Sequence, residues 1–133
     1  MVQATYTEFS QEQAAVYGDD GARALARACL NPDELTDEDL FILDAMFGLR
    51  VARVQRVKAQ ETAGGYDSGW ETLAASVIDS ILSYPQGHAW LIANRFRDTE
   101  FQNLMTDHLE NATPTPCHIG IEAMRASPNK QHT

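Results

Sequence analysis

Two cysteines and only ten basic residues against nineteen acidic ones set the first limits on this 133-residue chain. Cys29 sits in an apolar helical pattern and Cys117 in a proline-flanked stretch, so neither a disulfide framework nor a four-cysteine zinc site can be written. A reducing compartment, and with it a cytoplasmic location, is the expectation. The deficit of Lys and Arg leaves a formal net charge of −9 and a pI near 4.7. That balance argues against direct nucleic-acid binding, which draws its affinity from phosphate neutralisation by basic side chains, and against anionic membrane surfaces. No apolar run approaches the ~18 residues of a membrane span. The stretch from Met1 to Ser10 has neither the basic nor the apolar region of an export signal.

What is present is helical. A hydrophobic content of 44% with 22% charged residues is that of an ordinary globular domain, and 133 residues suffice for one core. From Thr36 to Gly65 the charges are sorted by sign, with Asp37, Glu38, Asp39 and Asp44 at the start and Arg50, Arg53, Arg56 and Lys58 in the second half. That order complements a helix macrodipole. Thr36 can cap the helix with Asp39 at the capping-box position. Leu40, Leu43, Met46, Phe47, Val51, Val54 and Val57 fall on one stripe, while Phe41, Ile42 and Leu49 add an apolar side that predicts cover from a second direction. A helix over about 37–63 would be roughly 40 Å long, enough to cross the whole domain or to project its Arg-rich end towards a second chain.

A partner helix over about 68–82, capped by Asp67 or Ser68, carries Trp70, Leu73, Val77, Ile78 and Ile81, and the short connection favours an antiparallel hairpin. Shorter helices are expected from Pro85 to Phe96 and from a cap at Asp98 to about Leu109. Upstream, Gly18-Asp19-Asp20-Gly21 should split Glu8 to Leu30 into two short helices. The expected fold is therefore all-α, a single domain of four to five helices over residues 1–112. Residues 113–133, rich in proline and polar side chains, read as a loosely attached or disordered tail that the fold can lose.

Leu35-Thr36-Asp37-Glu38, the long helix, the turn from Gly65 to Trp70, Pro85-Gln86-Gly87-His88-Ala89-Trp90, then Phe96 and Phe101 form a pattern. Over about residues 31–109 it resembles a broad set of uncharacterised bacterial helical proteins whose order is L-T-x-E, a long helix, G-x5-W, P-G-x3-W and F-x3-F. Gln86 stands between Pro85 and Gly87 where that set has Pro-Gly. The resemblance implies an all-helical fold and carries no activity, cofactor or catalytic residue.

Nothing in the chain spells a reaction. No serine sits in a G-x-S-x-G elbow, no glycine loop carries the lysine of a phosphate site, and His88, His108, His118 and His132 lack metal-ligand spacing. No cofactor or metal is expected. The preferred reading is a non-catalytic helical module that binds another protein or itself, with Arg50, Arg53 and Arg56 at i, i+3, i+6 and Trp90 as the candidate contact residues. The alternatives are a small enzyme or metal-binding protein with its site near His88, Arg95 and His108, and an acidic mimic that occupies a basic nucleic-acid-binding surface.

Overall fold

The charge-sorted segment forms the spine of the molecule. A computed structural model describes residues 18–64 and 69–127. Within them α1 (18–30) leads through a 3-10 turn at Pro32–Glu34 into α2 (Asp37–Gly64), followed by α3 (Trp70–Leu82), α4 (Gly87–Ala93), α5 (Thr99–Asn111) and α6 (Cys117–Ala126). The chain is all-α, and no strand occurs among the described residues. Asp19, Asp20 and Gly21 lie in the first described turn of α1, and Arg23 pairs with Asp20. The part of the Glu8 to Leu30 expectation that precedes residue 18, and with it the split into two helices, the expected caps Asp67 and Ser68, and His132 lie outside the described residues.

The start of α2 is fixed by reciprocal hydrogen bonds. Asp39 N–H donates to Thr36 Oγ1 and Thr36 N–H donates to Asp39 Oδ2, both at 3.1 Å, which satisfies two backbone donors that a helix start leaves open. Arg27 Nη1 then donates to both Asp39 oxygens at 3.1 and 3.0 Å, latching α1 onto this turn. Beyond it, Leu43, Met46, Phe47, Val51, Val54 and Val57 are buried.

Side-chain pairs give the register. Along α2 and α3, Lys58 Nζ lies 5.3 Å from the Trp70 ring centroid, Arg50 donates to Ser80 Oγ at 3.2 Å and Phe47 meets Tyr84 at 5.8 Å. As one residue number falls the other rises, so the pair is antiparallel. Lys58 also bonds Asp98 at 2.8 Å and Glu100 at 3.2 Å, while His108 meets Asp79 at 2.7 Å, so α5 runs parallel to α3. The return path is α4 and the extended residues after it. This path is lined by the aromatic series Phe47, Trp90, Phe96 and Phe101, at centroid spacings of 5.6, 6.4 and 5.1 Å.

Two glycines make these connections possible. Gly69 enters α3 at φ 70°, a left-handed conformation that costs side-chain-bearing residues. At Gly87 a Cβ would stand 1.9 Å from Ile81 O. The first turn of α4 thus lies against the last turn of α3 so closely that no larger residue fits unless the backbone shifts.

Where a loose tail is expected, the structure has a helix held at its start. Cys117 forms a disulfide with Cys29 across a Cα–Cα distance of 5.9 Å, and Cys117 N–H donates to Ser83 O at 2.9 Å. This single disulfide runs against the reducing compartment expected from the scarcity of cysteine. No residue of α6 is buried, so the tie is covalent and local rather than a packed interface.

Two carboxylates among the described residues make this fold sensitive to acid. The hydrogen bond from the Thr36 backbone, then that from Arg27, holds Asp39 below its ordinary 3.8. The Lys58 ammonium, then the Phe101 N–H, does the same for Asp98, which caps α5. A lowered folded-state pKa gives stability that is present above the unfolded value and lost as pH falls through the folded one. The unfolding midpoint should therefore hold on the neutral side of 3.8 and drop below it. Asp39→Asn with Asp98→Asn should start lower at neutral pH and show a shallower acid limb, a difference that thermal melts across a pH series would measure.

Candidate functional site

The arginine row does not present one surface. Steps of three residues fall short of a helical turn by about 60° each, so three such residues fan over about 120° of α2. Arg50 is half-buried against the core, its guanidinium 5.9 Å from the Phe47 ring centroid and bonded to Ser80. Arg53 is buried, at 3% exposure, which removes it from any partner-facing set. Arg56 alone is exposed. Trp90 is half-buried, edge-on to Phe47, and its indole Nε1–H donates to Asp44 Oδ1 at 2.8 Å. It bolts α4 to α2. Trp70 is a core residue at 5% exposure.

The proposed histidine site does not assemble. His88 and Arg95 are exposed on and after α4, whereas His108 lies in an open cleft of about 600 Å³ between α3 and α5, lined by Trp70, Glu71, Glu100, Asn103 and Asp107 among others. Neither His88 nor Arg95 lines it. Asp79 occupies one ring nitrogen of His108 at 2.7 Å. Among the described residues no three His, Cys, Asp or Glu side chains converge as metal ligands, and no helix is long and apolar enough to cross a membrane.

The feature that residue patterns did not isolate is on the outer face of α2. Leu40, placed by its spacing on the core stripe, is 45% exposed, and Phe41 is 76% exposed. With Asp37 and Asp44 they border a notch of about 330 Å³, at positions that stack i, i+3, i+4, i+7 on one side of the helix. The second direction of cover does exist: Ile42 and Leu49 are half-buried, and Ile42 faces the cleft beside Arg23 and Arg27 of α1. Phe41 falls outside that shadow. Its position opposite the core stripe was readable on the helical wheel. That nothing among the described residues covers it was not. Comparison of the chain with protein-family models, with curated proteins and with solved structures found no match.

Proposed function

We propose that this chain is a non-catalytic helical module that binds another protein through the first two turns of α2. The observation that carries the reading is the exposure of Phe41, at 76%, beside Leu40 on a regular helix. A phenylalanine held open there leaves apolar area in water that burial against a partner would remove, at about 25 cal/mol per Å², and aromatic side chains are enriched among the residues that dominate binding. The contact surface thereby shifts from the arginine row to Leu40 and Phe41, with Trp90 behind them as a support. The disulfide adds a compartment to the proposal. Bonds of this kind persist in oxidising surroundings and are rare in the cytosol, so the module works where Cys29 and Cys117 stay joined. Membership of the helical bacterial set that the chain resembles is part of the same proposal and adds no activity to it.

The test is capture from the native cell with wild type and Phe41→Glu, alongside thermal unfolding of both. The expected result is loss of the captured proteins by the variant at an unchanged melting temperature, since substitutions at exposed positions usually stay within about 0.5 kcal/mol. A variant that melts like wild type and captures the same proteins would overturn the reading.

A further inference from the structure

Resting on that reading, we infer that the occupant of the Leu40–Phe41 notch is a cationic amphipathic helix of another protein, with an apolar stripe to seat on the two side chains and basic residues to meet Asp37 and Asp44. The apolar part of the notch is small and its rim is anionic. Asp37 and Asp44 bracket it one turn to either side, and Asp33, Glu34 and Glu38 stand exposed at the same end of the molecule. Asp39, by contrast, is buried and engaged by Arg27 and Thr36, so it is no part of the rim. Among the described residues no ion pair holds Asp37 or Glu38, so both carboxylates are open to a basic partner.

That rim decides between occupants. A second copy seated symmetrically would bring the same patch against itself, setting Asp37 and Asp44 of one chain against those of the other, on top of a formal charge of −9 for each chain. Like charges opposed across an interface act against the pairing. An anionic bilayer meets the same repulsion. An extended strand finds no edge, because the backbone of α2 is already hydrogen-bonded within the helix. A helix that lays an apolar stripe into a groove, read as i, i+3, i+4, i+7 anchors, fits the notch and reverses the charge.

Trp90 supplies the readout. Its indole N–H is bonded to Asp44, so a ligand that engages the Asp44 carboxylate changes the surroundings of that N–H. The probe is a helical peptide of leucine and lysine with its leucines on one stripe, compared with a peptide of identical composition whose order scatters the leucines around the helix. The striped peptide is expected to shift the Trp90 indole N–H resonance and to bind about tenfold or more tightly than the scattered one, a preference on the scale of one interface anchor. Phe41→Ser should abolish the preference, and Asp37→Asn should weaken binding and flatten its salt dependence. Equal binding of the two peptides would mean attraction by net charge alone and would overturn the inference. So would a wild type that doubles in mass by light scattering through Phe41. If peptide binding fails while Phe41→Glu still loses captured proteins, this inference falls and the interaction reading stands. If both fail, both fall.

Discussion

Replacing Phe47 by alanine should lower the free energy of unfolding by about 3 to 5 kcal/mol, the range for a buried phenylalanine whose surroundings collapse only in part. Phe47 is 1% exposed and stands where three elements meet, against Tyr84 after α3, Trp90 on α4 and the Arg50 guanidinium on its own helix. The ring is the wall on which Trp90 rests, so its loss also loosens the indole that reaches Asp44. Phe41→Ala, six residues earlier on the same helix, is the internal control: at 76% exposure it should cost no more than about 0.5 kcal/mol. Urea unfolding of both variants, followed by tryptophan fluorescence, measures the contrast. A loss under about 1 kcal/mol for Phe47→Ala would contradict the packing of this ring between α2, α3 and α4.

That pair of phenylalanines marks where sequence reasoning reaches and where it stops. Local rules placed what local physics controls. Thr36 and Asp39 are three residues apart, and their reciprocal hydrogen bonds need nothing beyond one helical turn. The stripe from Leu43 to Val57 and the cap at Asp98 are of the same kind. Periodicity tells which side of a helix is apolar, but it does not tell how many neighbours arrive to cover it. Ile42 is sheltered because α1 is held close by Arg27, and Phe41, one residue earlier, is not. Arg53 reads as a surface residue by type. It is buried because it follows Leu49 by one turn on a side of α2 that is covered. The candidate contact surface was hidden for the same reason, since exposure is a property of the assembled helices.

The cysteines are the extreme case, and they set the other large expected effect. Cys29 and Cys117 are separated by 88 positions, a pairing that no local pattern encodes. Closing a loop of that length restricts the unfolded chain, and the loop-entropy relation puts the resulting stabilisation at roughly 4 to 5 kcal/mol. For a domain whose total stability is expected at about 5 to 15 kcal/mol, this is a large share. Cys29→Ser with Cys117→Ser should therefore unfold at markedly lower urea than the oxidised wild type. Wild type treated with a dithiol reductant should superimpose on the double variant. Because no residue of α6 is buried, the core of α2, α3 and α5 should still fold, its slowest amides losing protection only by the fall in global stability, while Cys117–Ala126 and the end of α1 open locally and lose more. Ending the chain at Thr113, which a loose tail would make harmless, should carry the same cost, since it deletes Cys117 and leaves Cys29 without its partner. The measurement that decides is the difference in unfolding free energy between oxidised and reduced wild type. A difference under about 1 kcal/mol would show that the unfolded chain gains little freedom when the bond opens. A large difference would make the redox state of the surroundings a principal determinant of whether Leu40 and Phe41 are presented on a folded surface at all.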